Sequence, residues 1–259
     1  MSEVFSDYSN YYDLLYADKD YQGEANYVAC KLREHRPGIR SVVEFGSGTG
    51  RHGRLLARAG FDVTGLERSA LMLTQGLAVA SREGPVFPGA FSAVEGDVRF
   101  TIIPGAFEAV ISLFHVVSYQ TANQDVLALF RNAAQHLTSD GLFMFDVWYG
   151  PAVLTVRPET RVKRIANDQI RVTRIAEPRL LADSNCVEVN YEVFIEELAT
   201  GGIKRLQETH LMRYFTTPEI TCLAEFAGFE VVEAEEWLTR KAPSTSTWGV
   251  CYLLRRSTP

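Results

Sequence analysis

Several features that would assign a chain to a familiar class of protein are missing from this sequence of 259 residues. It contains no run of 18 apolar residues and no signal-peptide pattern at its N-terminus, so we expect a cytoplasmic protein. Cysteine is scarce, and no two cysteines form a C-x-x-C pair. Four cysteines could make two disulfides, but a chain that can bury a core this large favours reduced thiols. The four are Cys30, Cys186, Cys222 and Cys251.

The charge balance and the missing catalytic motifs narrow the chemistry further. A net charge of −6 disfavours nucleic-acid binding, which needs concentrated lysine and arginine. We find no G-x-S-x-G motif and no Cys-His pair, so the sequence gives no indication of covalent catalysis. His52 has no second ligand at metal-binding spacing, so we expect no metal site. The length and the 46% hydrophobic content predict one globular domain with an elaboration.

The most informative stretch is residues 41–50, which read SVVEFGSGTG. A buried-strand pattern runs directly into a glycine-rich turn, and a helix-like segment, residues 51–59, follows. Glu67 stands 21 residues after Gly46, at the end of a second strand-like run over residues 61–67. A strand, a glycine turn, a helix, a strand and an acid predict a nucleoside-binding crevice, in which the acid can accept hydrogen bonds from ribose hydroxyls.

The spacing of the glycines indicates which nucleoside fits this crevice. The dinucleotide fingerprint is G-x-G-x-x-G, whereas this chain has Gly46-x-Gly48-x-Gly50 preceded by Glu44. A carboxylate before the turn suits an ammonium group better than a pyrophosphate. The pattern resembles motif I of the class I S-adenosylmethionine (SAM) methyltransferases.

Later motifs extend this resemblance in the family's order. Gly96-Asp97 follows a third strand-like run, residues 107–113 resemble the fourth strand, and residues 141–146 resemble the fifth. The match covers about residues 38–148 and resumes near residue 217. It implies an α/β fold with a Rossmann-like class I methyltransferase sheet and SAM as cofactor.

The resemblance also implies which residues hold SAM. Glu44 would approach the methionyl ammonium, Glu67 the ribose, and Asp97 the adenine amino group. The simpler alternative is that the glycines only form a turn and the acids only end strands, as in an ordinary α/β protein. The predicted cofactor-binding set is Tyr12, Tyr21, Glu44, Gly46, Ser47, Gly48, Gly50, Glu67, Arg68, Asp97, Val98 and Leu113.

The N-terminal segment is rich in tyrosine. Its pattern D-Y-S…Y-D-L-x-Y…K-D-Y, followed by a helix over residues 22–34, resembles the cap of amino-sugar N-methyltransferases from antibiotic and polysaccharide pathways. There the tyrosines close over the cationic methionyl end and the acceptor, which suits aromatic faces. This implies a cap over residues 1–36, with Tyr12 and Tyr21 on SAM and Tyr8 on the substrate. Core or surface aromatics are the alternative.

Candidate catalytic and acceptor-binding residues follow the fourth and fifth strands, where the carboxyl ends of parallel strands face a ligand crevice. His115 and Tyr119 are the catalytic candidates, although a lone histidine is as often structural. Tyr119 stands where the amino-sugar enzymes have the histidine of F-S-S-x-G-H, so whether a base operates there stays open. Trp148 and Tyr149 would form a substrate wall, or else part of a domain-junction core.

After residue 146 the pattern changes from alternating strands and helices to strands alone. Polar and apolar residues alternate over residues 161–175, 187–198 and 203–214, with turn residues between them. This predicts an antiparallel β insertion, residues 151–214. The related sugar methyltransferases pair through such insertions, so the resemblance implies that the insertion lies on the substrate side and forms a homodimer interface. Residues 1–150 and 215–259 would form the SAM-binding domain, closed by a helix near residues 217–228 and strands over 229–237 and 248–254. Thr217 would cap this helix, with Pro218 as its first helical residue.

The sequence therefore predicts a SAM-dependent methyltransferase for a small polar metabolite. N-methylation of a nucleotide-linked amino sugar is the favoured reaction, and O-methylation of a sugar or another small metabolite is the alternative. A NAD-dependent reductase fits the glycine spacing poorly, and a non-catalytic SAM-binding module stays possible. We expect a small-molecule acceptor as partner, and neither nucleic acid nor membrane.

Overall fold

A central sheet of parallel strands, flanked by helices, occupies most of the computed structural model, which describes residues 14–85 and 87–257. The strands lie in the order β3-β2-β1-β4-β5, and β11 and β10 continue the sheet beyond β5 in antiparallel orientation. The strands are β1 (Ser41–Phe45), β2 (Asp62–Glu67), β3 (Ala90–Glu95), β4 (Phe107–Ser112), β5 (Leu137–Tyr149), β10 (Phe229–Glu236) and β11 (Gly249–Arg256). The helices are α1 (Tyr21–His35), α2 (Arg51–Arg58), α3 (Ala70–Glu83), α4 (Asn123–His136), α5 (Gly150–Thr155) and α6 (Thr217–Phe226).

The middle of the sheet is apolar on both faces. Val42, Val43 and Phe45 of β1 are fully buried, and β1 pairs in parallel with β2 on one side and β4 on the other. Helices cover both faces, which is why these strands read as continuous hydrophobic runs. The order of strands reverses beside β1, and this is the place where open α/β sheets bind ligands. The predicted α/β fold is confirmed.

Four long antiparallel strands form the insertion: β6 (Arg161–Ala166), β7 (Ile170–Leu181), β8 (Cys186–Glu197) and β9 (Ile203–Phe215). We call them the meander. The last residues of β9 pair in parallel with the tip of β5, so the meander continues the main sheet at its ligand-binding edge.

The described part of the N-terminal segment packs on the meander. Leu15 is fully buried with Val172, Val193 and Ile195, and Asp18 forms an ion pair with Lys163 at 2.6 Å. The chain then enters α1, where the Asp20 side chain caps the first turn by accepting the Gly23 N–H at 2.8 Å. The N-terminal segment thus connects the meander to the first helix of the main domain.

The structure shifts some predicted boundaries. Helix α6 is capped by Thr216, not Thr217, because the Thr216 N–H donates to Glu219 Oε2 at 3.4 Å in a capping box. Pro218 is therefore the second helical residue. Strand β5 also runs through Tyr149, further than predicted, because its end pairs with both β9 and β11.

Candidate active site

A cavity of about 1430 Å³ opens at the carboxyl ends of the parallel strands and extends under the meander. One end is formed by the glycine turn, the tip of β2 and the loop after β3. The other end is formed by the loop after β4, the end of β5 and the inner face of the meander. The cavity therefore joins the two regions in which the sequence predicted cofactor and acceptor.

The glycine turn presents bare backbone to this cavity. Gly46 and Gly48 have φ of 72° and 57°, a region that side-chain-bearing residues seldom adopt. A Cβ added at Gly46 would meet the Val116 side chain at 2.6 Å, whereas one at Gly48 would meet nothing within 4 Å. Both residues line the cavity, as does Ser47. Gly50 instead lies behind the turn as the N-cap residue of α2.

Glu67 lies at the tip of β2, and its side chain bridges two backbone segments. Oε2 accepts the Gly48 N–H at 2.8 Å, and Oε1 accepts the Ser69 N–H at 2.7 Å. Burial raises the pKa of Glu67, while these backbone N–H groups act in the opposite direction. Arg68 follows on the exposed rim and also lines the cavity.

Asp97 lines the cavity at the loop after β3, as predicted, but it is held by a neighbour that sequence reasoning missed. Arg99 donates through Nε to Oδ1 at 2.9 Å and through Nη2 to Oδ2 at 2.7 Å. This bidentate bond is the main cause that lowers the pKa of Asp97. Arg99 also binds Asp125, so the carboxylate is oriented from α4. Val98 is buried beside it and lines the cavity.

Glu44 lies beneath the glycine turn, not in the cavity lining. It faces the first turn of α2, with His52 Nδ1 at 3.8 Å from Oε1. Burial raises the pKa of Glu44 to about 8, against the hydrogen bond from the Gly53 backbone. Its Oε2 has no hydrogen-bond partner within the part of the chain that the structure describes. The prediction that Glu44 approaches an ammonium group therefore needs a contact through the turn or through water.

Cationic and aromatic side chains form the wall at this end. The Arg51 guanidinium stacks over the Tyr21 ring at 4.6 Å, and Lys19 lies over the Tyr21 and Phe114 rings at 4.6 and 3.9 Å. Tyr21, Arg51 and Phe114 line the cavity, together with the buried Leu113. Arg51 Nη1 is buried and has no partner among the described residues.

A buried polar network supports this wall from below. Glu24 of α1 accepts from His52 Nε2 at 2.6 Å and from Trp237 Nε1 at 3.3 Å, and it also pairs with Lys19. Burial by itself would raise the pKa of Glu24, but His52 and Lys19 together lower it to about 2. The network links the N-terminal segment, α1, α2 and the loop after β10.

His115 follows β4 and lines the cavity beside Trp148, whose ring centroid is 6.2 Å away. Its Nδ1 lies 2.6 Å from Oδ2 of Asp146, a fully buried residue of β5, but without the direction of a hydrogen bond. Its backbone N–H donates to the same carboxylate at 3.2 Å, and its φ is 63°. Asp146 therefore fixes the loop and the ring together.

Trp148 and Tyr149 are neighbours in β5 and point to opposite faces of the sheet. Trp148 lines the cavity, whereas Tyr149 packs against the main hydrophobic core. The predicted substrate wall therefore loses Tyr149, which the structure assigns to the alternative role in a core.

Tyr119 ends the short helical turn after β4 and meets the meander. Its hydroxyl lies 2.8 Å from His210 Nδ1 of β9, and His210 Nε2 lies 3.0 Å from Glu208 Oε2. His210 is almost fully buried, and it packs edge-on against the Tyr191 ring at 4.8 Å. No local pattern signals His210, because it lies 91 residues from Tyr119 in the chain.

The meander also brings two arginines to the cavity, Arg161 and Arg174. Arg174 donates to the Tyr16 hydroxyl at 3.0 Å and stacks over the Tyr191 ring at 5.1 Å. Sequence reasoning singled out neither arginine, since a basic residue on an alternating strand is ordinarily a surface residue.

The structure thus gathers most of the predicted site residues around one cavity. Tyr8 and Tyr12 lie outside the described residues. Over residues 14–85 and 87–257, no group of three histidine, cysteine or acidic side chains could hold a metal ion. In the same ranges, no helix is long and apolar enough to cross a membrane. The predicted residues that line the cavity are Tyr21, Gly46, Ser47, Gly48, Glu67, Arg68, Asp97, Val98, Leu113, His115, Tyr119 and Trp148.

The chain is similar to known proteins both in sequence and in fold. Residues 42–141 match the family model described as "Methyltransferase domain". The dTDP-3-amino-3,6-dideoxy-alpha-D-glucopyranose N,N-dimethyltransferase of Streptomyces fradiae is 29% identical, over 85% of this chain and 82% of that protein. The dTDP-3-amino-3,4,6-trideoxy-alpha-D-glucopyranose N,N-dimethyltransferase of Streptomyces venezuelae is 26% identical, over 87% and 91%.

A solved structure matches nearly the whole chain. It is a S-adenosylmethionine-dependent methyltransferase from Clostridium acetobutylicum, with a TM-score of 0.82, 18% identity and coverage of 99% of this chain and 100% of that one. At this identity the likeness shows the fold, and it includes the meander because it spans both chains.

The fold is that of the class I SAM-dependent methyltransferases. With a methyltransferase domain at residues 42–141 and relatives that are methyltransferases over most of its length, this chain is a SAM-dependent methyltransferase. The cavity fits that cofactor: Gly48 leaves space beside its backbone, and Ser47 Oγ and Arg51 Nη1 are buried polar atoms without partners among the described residues.

Proposed function

We propose that this enzyme methylates the amino group of a nucleotide-linked amino sugar. The observation that carries the proposal is one continuous cavity, about 1430 Å³, that reaches from the glycine turn to the meander. Pockets for a single drug-sized ligand measure roughly 300–1000 Å³, so this cavity can hold a cofactor and a large acceptor together. Relatives that act on nucleotide-linked amino sugars support the choice of acceptor.

In this proposal the end beside the glycine turn holds SAM. Glu67 accepts the ribose hydroxyls, Asp97 accepts the adenine amino group, and Val98 packs beside the adenine. The Arg51 guanidinium binds the methionyl carboxylate, and the Tyr21 ring on which it stacks faces the cationic sulfur. Glu44 lies beneath the turn, where the positive charge of the bound methionyl ammonium favours its ionised form.

The residues at the other end orient the acceptor. When bound, SAM supplies a methyl group on a positively charged sulfur, already activated for transfer. The protein must hold the acceptor nitrogen in line with that group and exclude water. Trp148 and His115 form one wall and Tyr119 another, while Arg161 and Arg174 provide positive charge for the diphosphate of the acceptor.

The direct test is turnover with dTDP-3-amino-3,6-dideoxy-α-D-glucopyranose and SAM, followed by mass spectrometry. The expected products carry one or two added methyl groups on nitrogen. The matched sugar with a hydroxyl in place of the amine should not react. If only the hydroxyl sugar is methylated, the enzyme is an O-methyltransferase and the proposed N-methylation is wrong. If the enzyme binds SAM but methylates neither sugar, the proposed acceptor class is wrong.

We further propose that the chain has two parts: a SAM-binding domain, residues 1–150 and 215–259, and the β insertion, residues 151–214. We also propose that the meander forms a homodimer. Strand β6 lies at the edge of the sheet, and Val162 and Ile203 of the meander are 48% and 68% exposed. Apolar side chains on an exposed sheet edge favour a protein partner. Light scattering should give twice 29.0 kDa, and a mass of 29.0 kDa at assay concentrations would contradict the dimer.

The cytoplasmic location also belongs to this proposal. The four cysteines are free thiols in the structure, and Cys186 and Cys251 are buried. Free thiols are the usual state in a reducing compartment. Fractionation of cells that express the chain is the test, and recovery outside the cytoplasm would contradict it.

A further inference from the structure

We propose that Tyr119, His210 and Glu208 form a proton relay that removes a proton from the ammonium group of the acceptor. Tyr119 is the catalytic residue that contacts the acceptor, and His210 and Glu208 act through it. The relay rests on the proposed function, because it needs an amine acceptor in the cavity.

The hydrogen bonds fix the direction of the relay. A carboxylate can only accept, so His210 Nε2, 3.0 Å from Glu208 Oε2, carries a ring hydrogen. In the proposed resting state of the relay this is the single ring hydrogen. His210 Nδ1 is then an acceptor, and at 2.8 Å it can accept the Tyr119 hydroxyl proton. The proposed resting state therefore has an unprotonated nitrogen directly behind the hydroxyl of Tyr119, a residue that lines the cavity.

Tyr119 cannot be the base without this help. Burial, with Tyr191, Tyr16 and Glu208 nearby, raises the pKa of Tyr119 well above its usual range, and Arg174 opposes this only in part. The phenol therefore stays neutral. A neutral phenol can take a proton from an ammonium group only if it gives up its own at the same time, and His210 is the group placed to receive it.

Two protons move together in the proposed step. One N–H bond of the acceptor ammonium breaks, and its proton goes to the Tyr119 oxygen while the Tyr119 proton goes to His210 Nδ1. His210 becomes an imidazolium whose charge is stabilised by Glu208. The freed nitrogen lone pair forms a bond to the methyl carbon, the carbon–sulfur electron pair stays on sulfur, and His210 later releases its proton to water.

His115 is the competing base, and its geometry is less suitable. Its Nδ1 is 2.6 Å from Asp146 Oδ2, but the two groups lack the alignment of a hydrogen bond. Its backbone is bound to the same carboxylate. These contacts suit a residue that shapes the wall, whereas the contacts of His210 align for proton transfer.

The surroundings of His210 come from several elements, so the test must separate it from other titrating groups. Among the described residues, those that face it, or that contact the groups facing it, include Tyr119 after β4, Tyr191 of β8, Glu208 of β9, Arg174 of β7 and Tyr16 of the N-terminal segment.

The first experiment needs no acceptor. Nitrogen-15 NMR of histidine-labelled enzyme should find neutral His210 protonated on Nε2, and Tyr119→Phe should shift the Nδ1 signal by removing its hydrogen bond. A His210 protonated on Nδ1 would overturn the relay. This result stands even if the amino sugar proves to be the wrong acceptor.

The second experiment measures kcat/KM against pH with dTDP-3-amino-3,6-dideoxy-α-D-glucopyranose. Near about pH 7, His210→Asn and Tyr119→Phe should each lose on the order of 10²-fold, the usual size of general-base catalysis. The loss should shrink by about pH 9.5, because more of the acceptor has already lost its proton. Glu208→Gln should lose less, because it keeps the imidazole.

Controls separate this role from a structural one. His35→Asn removes a histidine that pairs with Glu233 at 3.2 Å, away from the cavity, and should keep the wild-type profile. SAM affinity, measured by titration calorimetry, should be unchanged in every variant. A loss of equal size at all pH values, or loss of the pH dependence in His115→Asn but not in His210→Asn, would overturn the relay.

Discussion

The buried carboxylate of Glu67 accepts the backbone N–H of Gly48 at 2.8 Å, so the tip of β2 and the glycine turn form one unit. Its second oxygen accepts the Ser69 N–H at the start of α3. The side chain that is proposed to bind ribose therefore also shapes the turn that is proposed to face SAM. A ligand hydroxyl can still use the remaining lone pairs of the carboxylate.

Glu67→Gln should weaken SAM binding by roughly ten- to a hundredfold, the effect of losing a charge-assisted hydrogen bond of about 1.5–3 kcal/mol. The amide can accept through only one atom, so one of the two backbone N–H groups is left without an acceptor. Titration calorimetry gives the dissociation constant. Glu95→Gln is the matched control, since Glu95 pairs with Glu67 across the strands but is exposed. An unchanged constant in Glu67→Gln would remove this residue from the site.

Arg51→Met should weaken SAM binding on the order of tenfold, because it removes the guanidinium proposed to bind the methionyl carboxylate but keeps an apolar stem on Tyr21. The ligand 5′-methylthioadenosine lacks that carboxylate, so its affinity should not change. Arg58→Met, on the exposed side of α2, is the control. Equal losses for both ligands would mean that Arg51 shapes the cavity without contacting the carboxylate.

Glu24→Gln should change the acid stability of the fold. The pKa of Glu24 is about 2 in the folded state against 4.5 as the ordinary value, so its contribution is present above pH 4.5 and is lost as the pH falls toward 2. This shift corresponds to about 3 kcal/mol. Urea unfolding at several pH values should give a wild-type advantage at pH 7 that narrows below about pH 4.5. An advantage that does not vary with pH would contradict the ion-pair account.

Glu44→Gln should change how the stability of the fold depends on pH near neutrality. Burial raises the folded-state pKa of Glu44 to about 8 from 4.5, so the folded state binds the extra proton between these values. The stability of the wild type should therefore fall as the pH rises from about 5 to 8, by up to about 1.4 kcal/mol per pH unit from this group. The variant has no such group, so its stability relative to wild type should rise over this range. Parallel curves would mean that Glu44 is already ionised in the fold.

Much of the fold could be predicted because its signals are local. Continuous apolar runs such as residues 41–45 indicate strands covered on both faces, and alternation such as residues 187–193 indicates antiparallel strands. The order of these signals was enough for the sheet and the β insertion. The boundary at Thr216 was missed because Thr217 offers the same side chain one residue later, and only the backbone geometry distinguishes them.

The candidate site was predictable where the chain itself brings residues together. Gly46, Gly48 and Glu67 belong to one strand–turn–helix–strand unit, so their relation follows from local structure. The partners of the predicted residues were not predictable. The bond from Arg99 to Asp97 could be suspected because the two residues are two positions apart in the chain. The contact of Asp146 with His115 depends on how β4 and β5 pair.

The sequence by itself determined the α/β class, the cofactor and the end of the sheet where the chemistry occurs, because glycines with positive φ, an acid at a strand tip and apolar periodicity act over short stretches of chain. Only the tertiary structure decided which faces those residues present. It put Glu44 under the turn, turned Tyr149 into the core, and brought His210 to Tyr119 across 91 residues. The last two outcomes depend on the register of β5 and β9, which is set by burial of the whole sheet and not by any short stretch of sequence.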